Sequence, residues 1–297
     1  MKKILIASGP AGGEPAGGRL GARRGSAAGQ PRGRVVSASQ APRRRGRRRL
    51  RVPAALLAAL LSFAIWEVVV RVARVPVFVL PPPSTVLREL VAEPAVFARA
   101  VVATLGEAAG GLVLAAVVAF AFAAGAVHSR LFDRVVTPLV VVSQTIPVIT
   151  LAPLLILWFG YGALPRVVVC ALVAFFPMAI TILVGLRSTD PDLLLLLRSV
   201  DASRWDVFWR VRLPNAGPFL VAAARTGVTL CLVGAVVAEW TGAGQGLGYL
   251  VLSANSRLAT AQALAAVFLI SLLGLAAYGC VGVLEGRIGW WKRSTLK

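Results

Sequence analysis

Few side chains in this sequence could make or break bonds, and their spacing argues against it. There is one histidine, His128, at the end of an apolar run, where an interfacial position is expected. A single imidazole excludes a His-Glu-x-x-His metal site, and no Gly-x-x-x-x-Gly-Lys-Ser/Thr phosphate loop occurs. Gly242, Gly244, Gly246 and Gly248 alternate, but they follow an apolar run instead of opening a helix after a strand. A flexible external turn is expected there, with re-entrant backbone lining a cavity as the alternative. Cys170, Cys231 and Cys280 sit in apolar runs without C-x-x-C spacing and read as small packing residues. No catalytic residue, metal ligand or cofactor is expected in the chain itself.

The informative polar residues interrupt apolar runs. Ser143-Gln144-Thr145-Ile146-Pro147, then Thr150 and Pro153, break a long one. Proline removes a backbone donor, and nearby hydroxyls can satisfy the carbonyls it frees. Gln144, Pro147 and Thr150 are therefore candidate pathway residues, with helix packing as the alternative. Glu239, near the outer end of a later run, is a fourth; an interfacial carboxylate is the simpler account.

The elements that hold these residues are membrane helices. Hydrophobic residues make up 58% of the 297 positions and the mean hydropathy is +0.79, too apolar for an ordinary soluble domain. Six stretches approach or exceed the length of a span: Pro53–Val70, Ala108–Val127, Val135–Phe159, Val167–Leu186, Ala216–Ala238 and Ala261–Leu284. The fold class expected is all-α, a six-helix polytopic membrane protein. Residues 1–50, rich in Arg, Gly and Pro, read as a disordered cytoplasmic tail. Seven arginines between Arg43 and Arg51 precede the first span, where they would hold the terminus inside; nucleic-acid binding is the less favoured use. A translation start placed too far upstream would also account for part of the tail. With the N-terminus inside, internal segments outside the tail carry eleven basic residues and external segments six, so both termini are expected in the cytoplasm.

Between the fourth and fifth runs lies a polar insert, 187–215. Asp190-Pro191-Asp192 stops one helix and can start another, and Ser203-Arg204-Trp205-Asp206 has capping-box spacing. Trp205, Phe208 and Trp209 then share a helical face, and Leu213-Pro214 is expected to end the helix. By itself such a helix could lie in the lipid interface.

Ala202-Ser203-Arg204-Trp205, six residues, then Val211-Arg212-Leu213-Pro214 resembles the cytoplasmic coupling loop of permease subunits of ABC importers. Pro153–Gly160, Phe175-Phe176-Pro177, Ala238-Glu239-Trp240 and Gly246–Leu250 look like further blocks of that family, in order. The branch resembled most is the aliphatic sulfonate, taurine and nitrate group, over roughly residues 80–286, with a core domain near 98–286. Two departures stand out. Where the family's loop has Glu-Ala-Ala this chain has Leu195-Leu196-Leu197, and Asp201 replaces a Gly; Asp201 could preserve the bend as a helix cap.

The resemblance implies a type I ABC importer permease, 51–297, that is not an enzyme and binds no ATP itself. It implies two ATPase subunits, a second permease copy (a homodimer is expected), an external solute-binding protein and a bilayer, with no nucleic acid. Ala202, Ser203, Arg204, Trp205, Phe208, Trp209, Leu213 and Pro214 would form the loop that meets the ATPase. The solute implied is a small sulfonate or another anionic or heteroaromatic nutrient. The rival reading, a secondary transporter, would show inverted halves and intramembrane charge pairs, and neither is evident in the sequence.

Overall fold

The computed structural model describes residues 51–242 and 244–288, and among them every regular element is a helix. The expectation for residues 1–50 lies outside the described residues. In order, the helices are α1 (Arg51–Val72), α2 (Pro83–Ala92), α3 (Pro94–His128), α4 (Arg130–Ser143), α5 (Val148–Phe159), α6 (Ala163–Arg187) and α7 (Pro191–Ser199). There follow α8 (Arg204–Val207), a π-helical turn (Phe208–Arg212), α9 (Leu213–Asn215), α10 (Gly217–Glu239), α11 (Leu247–Ser256) and α12 (Thr260–Ile288). Prolines 83, 94, 191 and 218 occupy first-turn positions, where their missing N–H leaves no bond unmade.

Four helices among the described residues, α3, α6, α10 and α12, are long and apolar enough to cross a bilayer. The expected first span coincides with α1. The expected third span, Val135–Phe159, is not one helix. It divides into α4 and α5, which meet at 98° across residues 144–147. Pro147 removes an N–H at the bend, and the hydroxyls of Ser143, Thr145 and Thr150 donate to the carbonyls of Val140, Val142 and Pro147 at 2.7–2.8 Å. The break is thus satisfied from within, which permits it at membrane depth.

The centre of the fold is the trio α3, α6 and α10. Their facing sides are built from small residues: Ala115, Ala119, Ala123, Cys170, Ala174, Ala179, Ala223, Cys231 and Ala235 are buried together. Gly111 and Gly234 both face Cys170, and a Cβ on Gly234 would stand 2.9 Å from the Cys170 Cα. Such close approach gives lipid-embedded helices their packing energy, since burying apolar surface against apolar lipid supplies little. Gly106, one turn earlier on α3, has open space beside it.

One helix was not expected. The glycine stretch 242–248, expected as a flexible turn, runs at its end into α11, whose Leu247, Leu250 and Ala254 are buried, the first two packing against α2, α3 and α12. Their i, i+3, i+7 spacing is the pattern of a one-sided helix.

Candidate coupling segment and the polar cluster at the opposite end

The insert at 187–215 folds as two short helices joined by a tight turn. Asp190 caps α7 by accepting from the Asp192 N–H at 2.9 Å. At the other end of α7, Ala202 N–H donates to Leu197 O (3.0 Å) and Asp201 N–H to Arg198 O (3.1 Å). That pair of bonds is a Schellman turn, which needs a left-handed residue at its pivot. Asp201 is that residue, with φ of 53°. The bend therefore survives the Gly-to-Asp departure through the backbone C-cap of α7 and not through the Asp201 side chain: the N-cap of α8 is Ser203, whose hydroxyl accepts from Asp206 N–H (3.1 Å) and donates to the Asp206 carboxylate (2.5 Å). Asp reaches left-handed backbone at less cost than most residues with a Cβ.

Leu213-Pro214 does not end the helix. The chain passes from α8 through the π turn into α9, with Leu213 N–H donating to Phe208 O. A proline ring normally collides with the carbonyl four residues back; the wider turn just before Pro214 relieves that collision.

The expected apolar face divides in two. Phe208 is 2% exposed, whereas Trp205 and Trp209 are 64% and 44% exposed. Phe208 sits against Phe120 and His128 of α3, ring centroids 6.3 and 4.9 Å away, and His128 Nδ1 lies 2.9 Å from Ala124 O. On the other side Arg212 donates to Leu186 O at the end of α6 (3.1 Å), and Asn215 donates to the Ser188 hydroxyl (3.3 Å). The segment is thus fastened to α3 by an aromatic plug and to α6 by two hydrogen bonds, with two indoles facing out. Ala202, Arg204, Leu213 and Pro214 complete it, and Leu195 and Leu196 on α7 are exposed nearby in the chain. Arg187 at the end of α6 pairs with Asp133 of α4 at 2.5 Å, extending the same tie to the bent pair.

At the opposite end of the trio is a polar cluster. Glu239, expected as a candidate pathway residue, is fully buried. Its carboxylate accepts from the Thr104 hydroxyl (2.6 Å) and from Gly248 N–H (2.5 Å), and the Thr104 oxygen accepts from Leu247 N–H (2.9 Å). A carboxylate thereby meets the first turn of α11, where free N–H groups and the helix dipole favour negative charge. Two of the alternating glycines, Gly246 and Gly248, follow from this contact. Gly246 has φ of 111°, and a Cβ on it would overlap the Glu239 carboxylate; one on Gly248 would come 2.6 Å from Val236 O. Nearby in the sequence of α3, Glu107 pairs with Arg166 of α6, both buried. A buried ion pair therefore does exist between membrane helices, contrary to the sequence expectation. Glu107 could have been noticed as a lone carboxylate inside an apolar run; its partner could not, because Arg166 reads as a loop residue.

Gln144, Pro147 and Thr150 are exposed at the bend. The structure does not bring Glu239 to a surface with them.

Comparison with known proteins agrees with this architecture. The model of the family described as binding-protein-dependent transport system inner membrane component matches residues 111–290. A probable ABC transporter permease protein of Haemophilus influenzae is 34% identical over 82% of this chain and 98% of its own length. The formylaminopyrimidine transport permease protein of Halalkalibacterium halodurans is 32% identical over 79% of this chain and 94% of its own length. A putative aliphatic sulfonates transport permease protein of Bacillus subtilis is 28% identical over 87% and 94%. With the helical trio, the bent pair and the fastened insert, these matches place the chain among the binding-protein-dependent ABC importer permeases: it is a multi-pass inner-membrane transport component, not an enzyme, working with an ATPase and a solute-binding protein.

Proposed function

We propose that this permease couples to its ATPase through the outward face of the insert, Trp205 and Trp209 with Leu195 and Leu196, while Phe208 and Arg212 carry the motion to α3 and α6. The observation that supports this is the division of the aromatic face: one ring is buried against the membrane helices and two indoles remain exposed on the same short segment. Exposed aromatics beside apolar residues suit a protein partner and dominate such interfaces. Both termini are cytoplasmic in this reading, and the chain crosses six times counting α1 and the bent pair. Two copies pair as a homodimer, with exposed Gln144, Pro147 and Thr150 at the bend facing the route of the solute. ATP binds only the partner subunits.

The solute we propose is a small organic sulfonate or a small heteroaromatic nutrient, moved inward. Support comes from relatives named for aliphatic sulfonates and for formylaminopyrimidine. The test has two arms. Trp205→Ala with Trp209→Ala should insert normally and lose the co-purifying ATPase; retention of the ATPase with normal transport would put the indoles in lipid. A deletion strain should fail to take up labelled taurine or alkanesulfonate, or else a labelled aminopyrimidine; normal uptake of all of them would reject the solute class. Topology is read by single-cysteine labelling from outside, which should reach Gly244→Cys and not Ser199→Cys.

A further inference from the structure

Between the end of α3, α7 and α8 lies a cavity of about 880 Å³. Arg130, Arg198, Arg204 and Arg212 line it, and Asp201 is the one carboxylate among the lining residues. None of the four arginines forms an ion pair among the described residues; the five pairs there involve Arg71, Arg166, Arg187, Arg210 and Arg225. Arg212 is half-buried, and that burial, with Arg198 and Arg187 close by, pushes its guanidinium below the ordinary value. The positive-inside preference explains why this end of the molecule is basic. It does not explain why arginines from separate elements converge on one cavity, since scattered arginines would satisfy it equally. Four arginines gathered around a single carboxylate leave an excess of like charge that repels, and an anion between them removes the repulsion. The volume lies within the range of small-molecule sites. Guanidinium groups present paired N–H donors that match phosphate oxygens, and basic pockets beside membrane helices on the inner side suit lipid head groups.

We propose that this cavity binds a phosphate-bearing anion, with Arg130, Arg198 and Arg204 holding the phosphate oxygens. An anionic phospholipid head group and a soluble phosphate share this chemistry. In the inward orientation given above, the cavity lies at the cytoplasmic end of the 35-residue helix α3, on the side of the inner lipid surface. The proposal rests on the inward orientation of this face given above, and goes beyond it in naming a ligand.

The permease–ATPase complex is reconstituted in nanodiscs of phosphatidylcholine with phosphatidylglycerol, exchanged into detergent, and its retained lipid is counted by native mass spectrometry. The intact complex should keep phosphatidylglycerol in preference to phosphatidylcholine. Arg130→Gln/Arg198→Gln/Arg204→Gln should lose that preference by about tenfold or more, the loss expected for removing charge-assisted bonds. Lysine at the same positions should retain part of it. A parallel arm in phosphatidylcholine alone adds inorganic phosphate: arginine-dependent phosphate retention without lipid preference would identify a soluble anion as the source, with the site intact. Equal retention by wild type and glutamine variant in both arms overturns the proposal. So does loss of the ATPase from the variant with phosphatidylglycerol retention unchanged, which would make the cavity a seat for acidic groups of the partner. If the triple variant fails to insert, Arg130→Gln, outside the insert, carries the same readout. Failure of ATPase to co-purify with wild type would reject the coupling assignment instead, and leaves lipid retention by the permease alone as the measurement of the site.

Discussion

At Asp201 a departure from the family pattern keeps the family's geometry. Its φ of 53° is the conformation for which glycine serves at the pivot of a Schellman turn. Asp201→Gly should therefore be neutral or stabilise the fold by up to about 1 kcal/mol, because left-handed backbone favours glycine. Asp201→Val should misdirect α8 and lower transport, since a β-branched residue resists positive φ. Thermal unfolding of the purified permease and uptake by the two variants check both expectations. Glu239 is the second decisive residue. It holds α10 to α3 through Thr104 and to α11 through Gly248. Glu239→Gln keeps an acceptor of the same size and should retain most of the stability. Glu239→Ala leaves the Thr104 hydroxyl and Gly248 N–H without this acceptor and should cost about 1 to 3 kcal/mol or more. Gly246→Ala should be worse than either, for its side chain has no space and its backbone is strained. The order of melting temperatures, wild type, then Gln, then Ala, with Gly246→Ala lowest, tests the assignment.

Among the elements, the insert and the bent pair show what the sequence could reveal. The caps at Asp190 and Ser203 and the first-turn Pro191 are local signals, found where local rules place them, whereas Pro214 does not end its helix and the third apolar run bends. The π turn has no such signal. It arises because Phe208 must reach α3 while Pro214 stays helical, a requirement set by packing between distant segments. The sequence groups Phe208 with Trp205 and Trp209, and the three rings do touch, but packing on α3 buries Phe208 alone. The 98° bend was legible as a weak point, with its prolines and hydroxyls, but not as an angle. Gly246 and Gly248 misled, because their missing side chains answer to Glu239 and Val236 of α10 and not to a mobile loop. Truncating Phe208 to Ala should cost about 3 to 5 kcal/mol, the usual range for a buried aromatic, whereas Trp205→Ala should leave stability nearly unchanged and weaken ATPase binding. Denaturation midpoints set against ATPase co-purification separate the two roles.

Across the molecule, the same three helices are tied at both ends. At one end Phe208, Arg212 and Asn215 bind the insert to α3 and α6; at the other, Glu239 and the Glu107–Arg166 pair join α10, α11, α3 and α6. Between them the contact surface is made of small residues that let the helices move as one packed body. A push on the exposed indoles would then be passed along the trio to the outer end, where α11 is attached. The most direct test of this account is the ratio of solute moved to ATP hydrolysed in proteoliposomes holding the full importer. Phe208→Ala with Arg212→Gln, inserted at the wild-type level, should keep hydrolysis and lose most of the transport per ATP. An unchanged ratio would contradict it, showing that motion reaches the membrane helices by another route.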